Sequence, residues 1–117
     1  MLPSQADIVI SSYFEREILP VLTPITLDPA HPLPQLEDGS IHLAVRFRRE
    51  PDRRARYGMV LVHSMLPRLI RIPSSAGEIV VLLVHLIARH LSDLFCGAAI
   101  EECRVVRARR RAVRARA

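Results

Sequence analysis

The first regular pattern in the chain is a helical one. Three bulky apolar residues recur four positions apart, which places them on one face of a helix: Ile10, Phe14 and Ile18. Ser4 or Asp7 can cap the start of this helix. Pro20 donates no backbone hydrogen bond, so the predicted helix ends at about Leu19.

Alternation of apolar and other residues then predicts a half-buried strand. The core-facing positions are Ile41, Leu43, Val45 and Phe47, and the outer positions are His42, Ala44, Arg46 and Arg48. The segment Glu50-Pro51-Asp52 has the composition of a turn, and residues 55–62 supply a second apolar stretch. These segments predict an antiparallel hairpin with arginines on its outer face.

A strand and a second helix are expected next. Leu66–Pro73 has a proline near each end, which suits an edge strand. Residues 75–78 form a capping box, so we expect a helix from there to Gly97. Its core face would hold Ile79, Leu82, Leu83, Leu86, Ile87 and Leu94, and its polar face His85, Arg89, Ser92 and Asp93.

Together with a last strand over Ala98–Val106, these patterns predict the fold class. We expect a two-layer α+β domain, in which two main helices pack on a small, mostly antiparallel sheet. The predicted order is helix, hairpin, strand, helix, strand.

Five prolines follow the first helix at short intervals: Pro20, Pro24, Pro29, Pro32 and Pro34. Proline fixes φ and disfavours helical geometry in the residue before it. The apolar residues between them need a surface to pack against: Val21, Leu22, Ile25, Leu27 and Leu33. We therefore expect an ordered, stiff, non-helical connector and not a flexible linker.

Four separated motifs carry a resemblance to a known family. The stretch YFEREILPVLTPITLDPAHPLP at Tyr13–Pro34 resembles the start of the middle domain of the bacterial polyphosphate kinases. LPRLIRIP at Leu66–Pro73 and ARHLSDLF at Ala88–Phe95 are similar to a strand and a helix of that family, in the same order. RVVR at Arg104–Arg107 sits where the family shows Arg-Val-Thr-Arg.

The resemblance implies an enzyme larger than this chain. Polyphosphate kinases reversibly transfer the terminal phosphate of ATP to inorganic polyphosphate, through a phosphohistidine and with Mg²⁺. The resemblance places the catalytic histidine and phosphate-binding arginines in other domains. It therefore implies a scaffolding piece that has no catalytic, cofactor or metal residue and is inactive alone. Its partners would be the remaining domains, with a homo-oligomer and polyphosphate as further partners and no specific nucleic acid.

Charge is distributed unevenly. The chain has 17 basic residues, all arginine, against 12 acidic ones. Residues 104–117 hold seven arginines and no acid, which leaves 10 arginines against 12 acids, or −2, in the body. We expect a family-like domain over 1–107 and a disordered Arg/Ala-rich tail over 108–117. The tail keeps one alternative open, a basic polyanion-binding module, and the aliphatic second helix another, an oligomerisation module.

Five residues are candidates for polyanion or inter-domain contacts: His31, Arg46, Arg48, Arg68 and Arg71. Arginine pairs well with phosphate, although a solvated hairpin end balanced by Glu50 and Asp52 is the simpler reading of the first two arginines. His85 and His90 are five positions apart, which is the wrong spacing for paired metal ligands on a helix.

The expected location is the cytoplasm, with membrane association as part of the larger enzyme as an open alternative. Cys96 and Cys103 form no paired motif, so two reduced thiols are expected. The longest apolar stretch, at residues 79–88, is well short of the ~20 residues that span a bilayer.

Overall fold

The computed structural model describes residues 4–28, 30 and 33–109. It begins with helix α1, Gln5–Tyr13, whose N-cap Ser4 accepts a hydrogen bond from the Asp7 amide. The helix continues as a π-helical turn, Phe14–Ile18, and a 3₁₀ turn, Leu19–Val21, that contains Pro20. The predicted apolar face is confirmed, because Ile10, Phe14 and Ile18 are all buried.

The main sheet has four antiparallel strands. They are β1, Leu22–Leu27, β2, Ile41–Arg48, β3, Ala55–Val62, and β6, Ala99–Arg107. Their spatial order is β1-β3-β2-β6, so β2 and β3 form the centre and β1 and β6 the edges. The predicted hairpin and last strand are therefore confirmed, and Leu43, Val45 and Phe47 face the core as expected.

Strand β1 lies inside the proline segment that we predicted as an ordered, stiff, non-helical connector. Pro24 is tolerated because β1 is an edge strand, where a missing N–H costs no pairing on the open side. Leu22 is buried, but Val21 and Leu33 are exposed, so the expected burial of both is wrong. Pro29 and Pro32 lie outside the described residues.

The second helix is shorter than predicted, and the proposed capping box is a turn. Strand β4, Leu69–Ser74, pairs with β5, Gly77–Leu82, in a separate two-stranded sheet. Gly77 has φ +117°, which a residue with a side chain rarely adopts and which closes the turn. Helices α2, Leu83–Ala88, and α3, Leu91–Leu94, follow. Leu82, predicted in the core, is exposed.

The helices and the two sheets share one core. Its buried members are Ile10, Phe14, Ile18, Leu22, Leu43, Val45, Phe47, Val60, Ile70, Ile72, Leu83, Leu86, Ile87, Leu91, Phe95 and Ala98. The Phe47 ring of β2 stacks on Phe95, with centroids 4.7 Å apart, and so joins the main sheet to the helical layer. The architecture is the α+β fold that the sequence predicts. Within the described residues, no helix is long and apolar enough to cross a membrane.

Candidate functional site

Two of the candidate arginines lie side by side on the outer face of β2. Arg46 Nε is 3.3 Å from Glu101 Oε1, and Arg48 Nε is 2.6 Å from Glu101 Oε2. Glu101 belongs to β6, which pairs with β2 along its whole length. Arg46 and Arg48 are thus brought together, and an acidic residue of the same domain partly neutralises them.

Two further arginines of the hairpin tip are also paired with carboxylates. Arg53 Nη1 is 2.8 Å from Glu50 Oε1, and Arg56 Nη2 is 2.9 Å from Asp52 Oδ2. The Arg54 amide, followed by the Arg56 guanidinium, holds the pKa of the Asp52 carboxyl below its usual value. These contacts match the balanced hairpin end that we set against the polyanion interpretation.

Arg49 is a residue that sequence analysis missed. It lies just past the end of β2, with its guanidinium 5.3 Å from the centroid of the Phe47 ring. Its Nε is buried and has no hydrogen-bond partner among the described residues. A sequence signal was available. Core-facing residues alternate along β2 up to Phe47, and continuing this alternation by two positions places Arg49 on the core side of the strand end.

A cavity of about 160 Å³ adjoins Arg49. Its lining residues are Arg48, Arg49, Glu50, Arg53, Gly97 and Ala99. The lining residues from the helix–strand junction are small, and those from the hairpin are three arginines and one glutamate. The net positive charge of these residues is suited to an anion, and the Glu50 carboxylate is paired with Arg53.

Arg68 and Arg71 lie apart from this cluster, on the two-stranded sheet and its approach. Arg71 Nη1 is 3.0 Å from Glu78 Oε1 of the neighbouring strand. Arg68 lines a groove of about 300 Å³ together with Leu66, Leu82 and Leu83. Its side chain is recorded in no ion pair within the part of the chain that the structure describes, so the inter-domain contact expected for Arg68 stays a prediction.

The β4–β5 sheet presents an apolar outer face, which we define by Leu69, Arg71, Val80 and Leu82. Leu69 is paired with Leu82 and Arg71 with Val80, so the four side chains project to the same side. Leu69, Val80 and Leu82 are each 44–48% exposed. Exposed apolar side chains grouped on one face, here beside the Arg71–Glu78 ion pair, are typical of a contact surface.

His31 lies outside the described residues. His42, predicted on the outer face of β2, is buried instead, with 4% of its surface exposed. Its Nδ1 accepts a hydrogen bond from the Val62 amide at 3.0 Å, so the ring proton is on Nε2, which is 2.7 Å from Ser40 Oγ. Ser40 in turn donates to the Glu37 carbonyl. Because His42 donates to Ser40, the pair cannot activate the serine as a nucleophile.

His85 and His90 have different surroundings. His85 is exposed, whereas His90 is buried and stacks on Phe14 with a centroid distance of 4.0 Å. The His90 ring also contacts the Leu86 carbonyl, at 2.9 Å from Nδ1. Among residues 4–28, 30 and 33–109, no group of three or more His, Cys, Asp or Glu side chains could hold a metal ion.

Both cysteines are free thiols, as expected. Burial raises the pKa of the Cys103 thiol above its usual value, so it is less reactive than an exposed thiol. Cys96 is exposed and has φ +59° at the junction between α3 and β6.

Comparison with known proteins gives the family. A model of the polyphosphate kinase middle domain matches residues 5–113, which is nearly the whole chain. The chain belongs to the polyphosphate kinase middle-domain family. The match continues past residue 107, where we placed the end of the family-like domain.

Full-length polyphosphate kinases share this middle domain with the chain. The enzyme of Paraburkholderia phytofirmans is 38% identical over 97 residues, which are 79% of this chain and 14% of that enzyme. The enzyme of Thermosynechococcus vestitus is 34% identical over 106 residues, which are 86% of this chain and 14% of that enzyme. The chain therefore spans about a seventh of the length of these relatives.

A solved polyphosphate kinase has the same fold. The crystal structure of the enzyme from Porphyromonas gingivalis matches with a TM-score of 0.72 and 25% identity, over 89% of this chain and 17% of that one. In this chain, Arg46 and Arg48 lie on the main sheet. Arg68 and Arg71 lie on or beside the small one, so the four candidates do not form a single site.

Proposed function

We propose that this chain is the structural middle domain of a polyphosphate kinase and that it holds neighbouring domains of that enzyme in position. The observation that carries the proposal is the exposed apolar outer face of the β4–β5 sheet, in a chain that matches 14% of the length of its relatives. A domain that folds around its own core and still exposes such a face has surface left for a partner.

The parent enzyme, in this proposal, transfers the terminal phosphate of ATP reversibly to polyphosphate. We assign ATP, Mg²⁺ and the phosphorylated histidine to domains outside this chain. The acidic partners of Arg46, Arg48, Arg53 and Arg56 lie in this domain itself, and the described histidines are not grouped with these arginines around one reacting atom, as phosphoryl transfer requires. A cytoplasmic location and assembly into a homo-oligomer belong to the same proposal, and light scattering of the full enzyme tests the latter.

A chimera tests the scaffold function. The 97-residue segment of the Paraburkholderia phytofirmans enzyme that matches this chain is replaced by the corresponding segment of this chain. ATP-dependent polyphosphate formation by the purified chimera is then measured. We expect substantial activity, because a structural domain of the same fold supplies the same surfaces to its neighbours.

A matched pair of variants locates the contact. Val80→Glu places a charge on the outer face, and Ile8→Glu places one on the exposed side of α1, where Ile8 is 52% exposed. We expect Val80→Glu to abolish chimera activity and Ile8→Glu to preserve it, while both isolated chains keep similar unfolding midpoints. A soluble, folded chimera without activity, or equal effects of the two variants, would contradict the proposal.

A further inference from the structure

Three arginine Nε atoms are buried without a hydrogen-bond partner among the described residues: those of Arg46, Arg49 and Arg56. The guanidinium groups of Arg46 and Arg56 nevertheless have carboxylate neighbours, Glu101 and Asp52. Arg49 has only the face of the Phe47 ring. It is therefore the one of these three cations that has no anionic neighbour recorded in the described part of the chain.

The contact with Phe47 does not replace a hydrogen bond. An aromatic face attracts a cation through its quadrupole, but it presents no lone pair to the Nε–H group. A buried donor without an acceptor is costly and usually indicates a water or an ion that completes the site. The Arg49 guanidinium thus keeps hydrogen-bond donors that no described residue uses.

Arg49 is only partly buried and lines a cavity, which has space for an anionic partner of its guanidinium group. The cavity volume of about 160 Å³ equals the liquid volume of roughly five water molecules, which is more than one bridging water requires. Gly97 and Ala99 also line the cavity, and their small size leaves this space open. A larger residue at Gly97 would also be strained, because its φ is +78°.

The other two guanidinium groups of the cavity are held in place by the fold. Arg48 Nη1 donates to the Arg53 carbonyl at 2.8 Å, while its Nε pairs with Glu101. The Arg53 amide closes the turn onto the Arg49 carbonyl at 3.0 Å, and its guanidinium pairs with Glu50. With Arg48 and Arg53 each paired to a carboxylate, Arg49 leaves one positive charge unbalanced beside the cavity.

We propose that this cavity binds a phosphate-type oxyanion, with Arg49 as the principal donor and Arg48 and Arg53 beside it. A phosphoryl group offers several oxygens to several planar guanidinium groups, which is the arrangement that arginine favours over single-point contacts. The ligand is either free inorganic phosphate or one phosphoryl unit of a polyphosphate chain. This inference stands on the cavity alone and does not depend on the scaffold function.

Titration of the full 117-residue chain tests the proposal. Sodium tripolyphosphate is added to ¹⁵N-labelled protein at constant ionic strength, and the amide shifts of Gly97 and Ala99 are followed. We expect saturable shifts at both residues. Inorganic phosphate, used as the second probe, separates the two ligand sources. Equal affinity indicates a single-phosphate site, and tighter tripolyphosphate binding indicates a chain that extends beyond the cavity.

Variants with the same change of charge provide the control. Arg49→Gln should weaken tripolyphosphate binding at Gly97 by about tenfold or more. Arg71→Gln, which removes an exposed arginine from the other sheet, should change it by no more than about twofold. Arg49→Lys keeps the charge but loses the fork of donors, so it should also bind more weakly. It replaces Arg49→Gln if that variant does not fold.

Two results would overturn the proposal. One is that the amide signals of Gly97 and Ala99 in the wild-type chain do not shift when tripolyphosphate is added, while those of residues 110–117 do. The other is wild-type affinity in Arg49→Gln or Arg49→Lys. If the chimera is active but the cavity binds neither phosphate nor tripolyphosphate, the scaffold function stands and only the proposed anion site is refuted.

Discussion

His42 joins three parts of the main sheet through one imidazole ring. The side chain starts on β2, accepts from the Val62 amide at the end of β3, and donates to Ser40 in the turn before β2. Burial lowers the pKa of His42 below its usual 6.5. The folded state therefore holds this histidine neutral, and protonation at Nδ1 would remove the acceptor that Val62 uses.

We predict a loss of stability in mild acid that depends on His42. Because the folded pKa of this histidine is the lower one, the unfolded chain binds more protons below about pH 6.5, and unfolding becomes easier as pH falls. The stabilisation is fully present above pH 6.5. Urea denaturation at pH 7.5 and 5.5 should show a larger difference in wild type than in His42→Gln.

His85→Gln is the control, because it makes the same substitution at an exposed histidine outside the main sheet. At pH 7.5, His42→Gln should itself cost about 1–3 kcal/mol, since it risks leaving the Val62 amide unpaired in the interior. An identical pH dependence in wild type and His42→Gln would show that other groups cause the acid sensitivity.

At the scale of elements, the second helix shows what local pattern could not predict. Ile79, Val80 and Val81 are β-branched, and strand and buried helix are both compatible with a short apolar run. The pairing of β5 with β4 favours the strand, because β4 provides hydrogen-bond partners for the backbone of residues 77–82. That partner is contributed by a tertiary contact, which the capping-box motif does not encode.

The helical part that remains keeps the predicted faces. Leu86 is 1% exposed and His85 lies on the solvent side. We predict that Leu86→Ala lowers the free energy of unfolding by about 2–5 kcal/mol through the cavity that it leaves. His85→Ala should change it by less than about 0.5 kcal/mol. Chemical denaturation measures both, and similar losses would show that the face assignment is wrong.

At the scale of the whole molecule, we predict that the purified chain does not transfer phosphate. The described residues place histidines and arginines in separate, largely satisfied environments and not around one reacting atom. Incubation with ATP, Mg²⁺ and polyphosphate, followed by detection of ADP, should give the rate of a protein-free blank. Turnover that increases with the amount of pure chain would refute the prediction.

The sequence predicted most of this molecule, but not all of it. Family, fold class, first helix, hairpin and last strand follow from periodicity and motifs, because each depends on neighbouring residues. The strand within the proline segment and the burial of His42 depend on partners far along the chain. Arg49 was missed for the same reason, since its exposure to the cavity is set by Gly97 and Ala99.

The strand order also constrains how the chain can fold while it is being made. Strand β2 lies between β3, which follows it directly, and β6, whose Arg107 pairs with Ile41. During vectorial synthesis, the hairpin emerges early, but one side of β2 has no partner until residues 99–107 leave the ribosome. Unpaired strand edges of this kind invite association between nascent chains. The arginines on β2 give neighbouring copies like charges at that edge before Glu101 arrives to balance them.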